Sequence, residues 1–451
     1  MIPPLDQLKS LLSRTVSRMD AQGYCMDGLW EKLNSLPDSY DACFAFAKSL
    51  PATPMRATWA YEEPNDYAAI VNACEFKKAE APPAASKTLR LLYSDRARAA
   101  CYGAVQGCIL GKPLEVNPSY GELREAGLRC GEWPIDDYIS ERFLSELGRR
   151  HMSSFEAARE HIRYAAADDD LNYLALGLCL LEEKGRTFTL DDVRRNWQRH
   201  IPINFIFGAE RVVTAAMLQQ NVFETDDLCN EPVHEDSYYL RFSEVLNPSS
   251  EYCGAAIRTA VYGLACPGRP AEAARLAYID AVFTHRKTGL YAAMYVAALT
   301  ALLIAGMPPL NACDAALHYI PKKSRLFERL KEALLIVRLS ESFEESYDRL
   351  HSRFSDYDHC MLYQELGTLM NSLYHAENVW HGVCLQVMQG NDTDSFGCMA
   401  GLMLGARFGM AGIDNKRLSP FSDTVHIALA DFYETSIDAL AARVAQLPNL
   451  P

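Results

Sequence analysis

Residues 103–115 read GAVQGCILGKPLE, and glycine returns at every fourth position from Gly103 to Gly111. Residues four apart are neighbours on a helix, so these glycines would form a stripe of minimal side chains along one helical face. Two further segments have the same spacing of small residues: Ala293, Ala297, Ala301 and Ala305, and Gly397, Gly401, Gly405 and Gly409. Each glycine costs a helix about 1 kcal/mol relative to alanine, so a stacked run needs a packing contact that offsets the cost. Three such stripes predict closely packed central helices in a compact multi-helix core.

The rest of the chain is also helical in pattern. Helical spacings of apolar residues follow one another from about residue 94 onward, and alternating strand patterns are hard to find. The segment before residue 90 has a shorter helical stripe: Leu5, Leu8, Leu12 and Val16. Lys78–Lys87, KAEAPPAASK, is a connector rich in proline, alanine and serine. We therefore predict an all-α fold, with an N-terminal helical extension over residues 1–90 and a main domain over residues 91–451.

Composition narrows the possible partners and the cellular setting. The 451 residues include 44 lysines and arginines against 58 aspartates and glutamates, a formal net charge of −14. That balance argues against an electrostatic grip on nucleic acid or anionic lipid. The 14 scattered cysteines contain no CxxC pair, which argues against a zinc ribbon and fits a reducing, cytoplasmic setting. The N-terminus also lacks the basic-then-apolar order of a signal peptide.

One segment could imitate a membrane span. Thr288–Cys313 carries no charge, but it contains two glycines, two prolines and many alanines. We interpret it as a buried core helix that ends near Gly306, rather than as a membrane-spanning helix.

Two acidic clusters stand immediately before apolar helical segments. The first is Asp168-Asp169-Asp170 and the second is Asn391-Asp392-Thr393-Asp394-Ser395. Either cluster alone could be a helix cap, since aspartate favours the first turn of a helix. Because both precede helices that look fully buried, we expect both to point into the interior or a cleft. Carboxylates gathered there would repel one another unless cations lie among them, and hard oxygen ligands select Mg²⁺, Mn²⁺ or Ca²⁺.

Two single residues add to these clusters. Glu115 follows Gly111 and Pro113, two helix stop signals, so it is expected on a loop at a helix C-terminus. It could equally be a solvated loop residue. His285 opens the alanine-stripe helix, where a helix N-terminus could bind an anion, although a structural histidine fits as well. Four common motifs are absent from the sequence: GxSxG, the Walker A loop, GxGxxG and HExxH. Their absence argues against the commonest classes of serine hydrolase, nucleoside triphosphatase, dinucleotide-binding protein and metalloprotease.

These motifs, taken in order, resemble the ADP-ribosylglycohydrolase family, which includes dinitrogenase-reductase-activating glycohydrolase and the J1 crystallins. Residues 103–115 are similar to its GAxxGDxxGxxxE motif, and 167–172 to its TDDTxM motif. Residues 249–258, SSEYCGAAIR, resemble its glycine-rich substrate loop, and 392–395 resemble its GGDTDT motif. The resemblance covers about residues 95–415, and looks closest to a larger bacterial subgroup with an N-terminal helical extension.

The resemblance implies an all-α glycohydrolase with two Mg²⁺ ions, or Mn²⁺ in their place, between the two aspartate clusters. The implied metal ligands are Asp168, Asp169, Asp392, Asp394 and the Ser395 hydroxyl. Glu115 and Asp169 would act in catalysis beside the metals. The implied substrate-binding residues are Ser250, Gly254, His285, Gly289, Tyr291 and Asp170. The substrate would be an ADP-ribose-containing or other ribosyl compound, and cleavage would build oxocarbenium-like charge that carboxylates stabilise.

The chain departs from the family pattern at several of these positions. Ala167 replaces a threonine whose hydroxyl is a ligand, and Asp170 replaces a second threonine. Cys108 replaces an aspartate and Asn391 a glycine, while Ser395 keeps the hydroxyl of the threonine it replaces. The metal centre is therefore expected to be retained but remodelled.

Three functions are compatible with this pattern. The leading one is a Mg²⁺-dependent hydrolase of an N- or O-glycosidic ADP-ribosyl bond, such as that of ADP-ribosylarginine on protein. The second is an N-ribosyl hydrolase of a small nucleoside-like metabolite, and the third is a non-catalytic ADP-ribose-binding or crystallin-like structural protein. The sequence leaves the oligomeric state open.

Overall fold

The computed structural model describes residues 4–75, 86–215 and 246–450. Within these three ranges the chain consists of helices and loops, with isolated β-bridges and no strand, which confirms the predicted all-α fold. The predicted connector Lys78–Lys87 falls almost wholly in the gap at 76–85, outside the described residues. The division into an extension and a main domain therefore stays a prediction.

The helices fall into three groups along the chain. The N-terminal segment contains α1 (Leu5–Ala21), α2 (Leu29–Asn34), α3 (Tyr40–Ser49) and α4 (Tyr67–Ala73). The middle range contains α5 (Lys87–Gly111), α6 (Tyr120–Cys130), α7 (Glu141–Leu147), α8 (Ser154–Ala157), α9 (Asp169–Lys184) and α10 (Leu190–His200), and residues 208–215 are also helical. The last range contains α11 (Gly254–Leu264), α12 (Pro270–Ala281), α13 (Lys287–Ile304), α14 (Pro309–Ala316), α15 (Arg325–Leu339), α16 (Phe343–Phe354), α17 (Tyr363–His375), α18 (Val379–Met388), α19 (Thr393–Phe408) and α20 (Ile437–Val444).

Helices α5 and α19 pack against each other through their two glycine stripes. A Cβ atom on Gly107 would overlap the carbonyl oxygen of Gly397, and one on Gly111 would overlap that of Thr393. The backbones can approach this closely only because the stripe has no side chains at the contact. The packing contact expected from the glycine spacing is therefore present, and it holds the last turn of α5 against the first turn of α19.

The alanine stripe lies on α13, and every residue of this helix is buried. It packs on α11, where Gly263 has no room for a Cβ beside Ala297 and Thr300. Of the helices in the described ranges, α13 alone is long and apolar enough to cross a membrane, but protein covers it completely. The prediction of a buried core helix is confirmed, and the helix ends at Ile304, just before Gly306.

Helices α1 to α3 surround a small hydrophobic cluster that is separate from the main core. Leu8, Leu12 and Val16 of the predicted stripe are buried in it. Polar contacts join this segment to the main core; for example, Gln22 donates a hydrogen bond of 3.0 Å to the carboxylate of Glu251. Helix α4 packs on the main core instead, through its buried Ile70.

Candidate functional site

The candidate site forms where the C-terminal end of α5 meets the N-terminal ends of α9 and α19. Helix α5 stops at Gly111 because Pro113 has no N–H to continue the ladder, and one tight turn over 112–114 leads to Glu115. The hydroxyl of Thr393 donates a hydrogen bond of 2.8 Å to the carbonyl oxygen of Gly111. This bond, with the close glycine contact below it, fixes the start of α19 against the end of α5.

Asp168 is the N-cap of α9, and its side chain makes two contacts. Oδ1 accepts a hydrogen bond of 3.0 Å from the backbone N–H of Asp170, which satisfies one free donor of the first turn. Oδ2 accepts a hydrogen bond from the Lys112 ammonium. The two side chains of this ion pair are only 8% and 1% exposed, for Lys112 and Asp168 respectively, so the pair is inside the protein.

The second acidic cluster lies at the start of α19, opposite the first. Asp394 is buried, and its Oδ1 accepts a hydrogen bond of 3.0 Å from the backbone N–H of Ser395. The Asp394 side chain is close enough to Glu115 to influence its pKa. The thiol of Cys253 donates a hydrogen bond of 3.7 Å to Oδ2 of Asp392, which brings the loop before α11 to the same place.

The mutual repulsion of these acids shifts the pKa values of their carboxyl groups. Burial, followed by the negative charge of Asp168, raises the pKa of three carboxyl groups well above their usual range: Asp169, Asp170 and Asp394. Burial opposes ionisation of Asp168 too, but the charge and hydrogen bond of Lys112 outweigh it and lower the pKa of Asp168. The site therefore holds more carboxyl groups than its lysine can neutralise.

Glu115 occupies the solvent-facing side of the cluster, with 43% of its side chain exposed. Partial withdrawal from water, together with the charge of Asp168, raises the pKa of Glu115 to about 7. A carboxyl group with this pKa is divided between its acid and base forms near neutral pH, which suits proton transfer.

Asp170 shows that the cluster is suited to a cation. Both of its side-chain oxygens are buried, and neither has a hydrogen-bond partner among the described residues. One ligand atom each from Asp170, Asp168 and Cys108 lie within 4.8 Å of one another. A buried carboxylate without partners is costly unless a proton or a cation reaches it. The donor set thus fits a metal ion, with hard oxygens predominating and one softer sulfur at its edge.

Two of the predicted substrate-binding residues have no exposed surface. His285 and Tyr291 are fully buried, and the Tyr291 hydroxyl donates a hydrogen bond to the carbonyl oxygen of Pro64. Burial lowers the pKa of His285 well below its usual value, so its ring is neutral, and Nδ1 lies 2.8 Å from the Thr284 hydroxyl. Both side chains support the surrounding structure in this conformation, and a part for them in substrate binding stays a prediction.

The remaining predicted substrate residues belong to the loop before α11 and its contacts. Ser250 is buried, and its carbonyl oxygen accepts a hydrogen bond of 2.8 Å from Arg286. Gly289 has no room for a Cβ beside the Ser250 carbonyl, and Gly254 has none beside the Glu210 carboxylate. These glycines therefore keep the loop close to α13 and to the 208–215 segment.

A cavity of about 250 Å³ lies between α1 and this loop. Its walls include Arg18, Gln22, Ser250 and Lys287, and none of the acids of the two clusters. The N-terminal segment thus contributes to a pocket beside the predicted substrate loop, apart from the carboxylates.

A family of known proteins matches most of this sequence. The sequence model of the ADP-ribosylglycohydrolase family matches residues 89–449, most of the chain and all of the acids described above. The chain belongs to the ADP-ribosylglycohydrolase family. This membership indicates a hydrolase activity of the ADP-ribosylglycohydrolase type. The family is in general metal-dependent.

The chain also has a weak similarity to a solved structure. The chain is similar to a protein described as an ADP-ribosylglycohydrolase-related protein complex, with 16% sequence identity and a TM-score of 0.43, over 79% of this chain and 99% of that one. No curated protein matches the sequence.

Sequence reasoning missed two residues of the site, Lys112 and Cys253. Lys112 follows directly after the last glycine of the stripe, and a lysine inside an otherwise apolar stretch was a signal that could have been followed. Cys253 gave no such signal, because its contact with Asp392 depends on how the loop folds back onto α19.

Proposed function

We propose that the chain is a metal-dependent hydrolase that cleaves the glycosidic bond between ADP-ribose and an acceptor, with ADP-ribosylarginine on protein as the candidate substrate and Mg²⁺ as the candidate metal. The observation that carries the proposal is the convergence of two acidic clusters and Glu115 at three helix ends. A group of acids with raised pKa values, in which the Asp170 oxygens have no hydrogen-bond partner among the described residues, is typical of a functional site rather than of a structural core.

The residues that would hold the metal are Asp169, Asp392, Asp394 and the hydroxyl of Ser395, with Asp168 beside them. When bound, a divalent cation would neutralise the cluster, orient ribose hydroxyls and polarise a water molecule. Asp169 and Asp394 would also stabilise the positive charge that develops at the anomeric carbon as the bond breaks.

Glu115 is the proposed general base. It would take a proton from the water whose oxygen bonds to the anomeric carbon, and would pass that proton to the acceptor nitrogen or oxygen as its bond to that carbon breaks. In the metal-free protein, burial and the charge of Asp168 raise its pKa to about 7. Its exposure places it where water and a substrate can reach it.

The test is release of ADP-ribose from an ADP-ribosylated protein, measured by chromatography with and without Mg²⁺. We expect release that depends on Mg²⁺, and a loss of at least about a hundredfold in Asp394→Asn, since even contacts outside the first ligand shell of a metal contribute up to that factor. Asp348→Asn, at an exposed site on α16, is the matched control and should keep full activity. Full activity of Asp394→Asn would refute the site assignment.

A second candidate is hydrolysis of an N-ribosyl bond in a small nucleoside-like metabolite. The burial of His285 and Tyr291 favours it, because a smaller ligand needs less space beyond the carboxylates. A competition panel of nucleosides and ADP-ribose separates the two candidates: inhibition by ADP-ribose at far lower concentration supports the first, and inhibition by a nucleoside alone supports the second.

A further inference from the structure

Lys112 brings a permanent positive charge into the acidic cluster. It follows the last residue of α5, its side chain is 8% exposed, and its ammonium bonds to Oδ2 of Asp168. The negative charge of Asp394 also acts on it. Lys112 thus lies within the group of carboxylates that would hold metal ions, and not at its margin.

A metal ion that used Asp168 as a ligand would compete with this ammonium. The Oδ1 atom of Asp168 is engaged by the backbone N–H of Asp170, and Oδ2 by Lys112. A divalent cation beside the ammonium would experience like-charge repulsion, which is strong in a buried site. Ala167, which precedes Asp168, has no side-chain oxygen that could offset that repulsion.

The other side of the cluster has no such competitor. Asp169, Asp392, Asp394 and Glu115 make no ion pair with a lysine or arginine among the described residues, although His151 lies 3.5 Å from Glu115. The hydroxyl of Ser395 lies next to Asp394 at the start of α19. In their ionised forms, these carboxylates therefore have no lysine or arginine among the described residues to neutralise them.

We infer that the Lys112 ammonium takes the place of one of the two metal ions that the family resemblance implies, so that the centre binds a single divalent cation. That cation would be held by the acids that Lys112 does not bond, Asp169, Asp170, Asp392 and Asp394 among them, while Lys112 neutralises Asp168. The inference rests on the proposed metal site but not on the proposed substrate, and it makes Lys112 a positioning residue that holds Asp168 in place.

The test is the number of Mn²⁺ ions bound per chain, measured on the full-length protein by isothermal titration calorimetry and by electron paramagnetic resonance. The wild-type protein should bind one ion per chain and give the spectrum of an isolated Mn²⁺. Two ions per chain with the spectrum of a coupled pair would overturn the inference and leave the hydrolase proposal standing. An absence of Mn²⁺ binding would overturn both.

Two variants sharpen the result. Lys112→Met keeps the length of the side chain but removes its charge, so it should gain a second Mn²⁺ and the coupled spectrum. Lys112→Arg keeps the charge and should stay at one ion. If Lys112→Met fails to fold, the wild-type count and spectrum decide by themselves. Binding of one ion without any ADP-ribose release would support the inference and count against the proposed substrate.

Discussion

At the scale of single residues, Asp168 connects the fold of this protein to its chemistry. One oxygen caps α9 and the other holds Lys112, so the same carboxylate that begins a helix also sets the charge of the site. An isolated helix cap would lie near water and keep an ordinary pKa. Here burial and Lys112 shift its pKa in opposite directions, and the effect of the lysine is larger, so the pKa of Asp168 is lowered while those of Asp169, Asp170 and Asp394 are raised.

Glu115 should make the metal-free protein less stable as the pH rises. Its pKa is raised in the folded state, to about 7 against about 4.3 in an unfolded chain, so the folded protein holds this proton more tightly. Its contribution to the free energy of unfolding is therefore largest at low pH and is lost as the pH passes from about 4 to about 7. Glu115→Gln removes this dependence.

The measurement is thermal melting of both proteins in a chelating buffer at several pH values. The gain in melting temperature of Glu115→Gln over wild type should be larger at pH ~8 than at pH ~5, and comparing the two proteins cancels all other titrating groups. A constant gain would show that Glu115 has an ordinary pKa, and a decreasing gain would show that its pKa is lowered. Saturating Mg²⁺ should reduce the difference, because a bound cation offsets the charge of the cluster.

At the scale of helices, the contact between α5 and α19 determines where the acids meet. The glycine stripes let the two backbones touch, and the register of that contact places Gly111 beside Thr393. A shift of one helical turn would separate Glu115 from Asp394. The stripe is thus a packing device whose consequence is the geometry of the site.

Gly107→Ala should destabilise the protein by about 3 kcal/mol or slightly more, the upper range for overpacking, because the added methyl group meets the backbone of Gly397 rather than a movable side chain. Gly121→Ala, in α6, is the matched control, since a Cβ there has no atom within 4 Å. It should be neutral or stabilising by up to about 1 kcal/mol. Urea denaturation of both variants measures the change, and equal stabilities would contradict the close contact.

At the scale of the whole molecule, charged and polar groups help to attach the N-terminal segment to the main core. Arg325 lies at the centre of this junction, in ion pairs with Glu63 and with Glu251, a carboxylate that has no exposed surface. Its guanidinium also donates to the carbonyl oxygen of Ala21 at the end of α1. We propose on this basis that residues 1–90 form an extension that folds onto the main domain beside the predicted substrate loop.

Arg325→Met should cost about 3–5 kcal/mol, because it leaves two carboxylates without their partner inside the protein. Lys323→Met is the matched control: it removes the ion pair with Glu62, which joins the same two segments but is exposed on both sides. Its cost should be below about 1 kcal/mol. Differential scanning calorimetry compares the two, and limited proteolysis should release the N-terminal segment faster in Arg325→Met alone.

The sequence by itself determined the helices, the buried character of α13 and the two acidic helix starts. These features follow from local spacing: apolar residues at helical intervals, small residues four apart, and aspartates before apolar runs. The same spacing pointed to the backbone contact of α5 with α19, since stacked glycines have no other use in a helix.

Only the tertiary structure decided which charges meet. Lys112 and Asp168 are 56 residues apart, and no local pattern connects them. They pair because α9 begins close to the point where α5 ends. The burial of His285 and the contact between Cys253 and Asp392 likewise depend on groups that are distant in the sequence. Local spacing can be read from neighbours along the chain, but the neutralisation of a buried carboxylate depends on groups that become neighbours only when the helices pack.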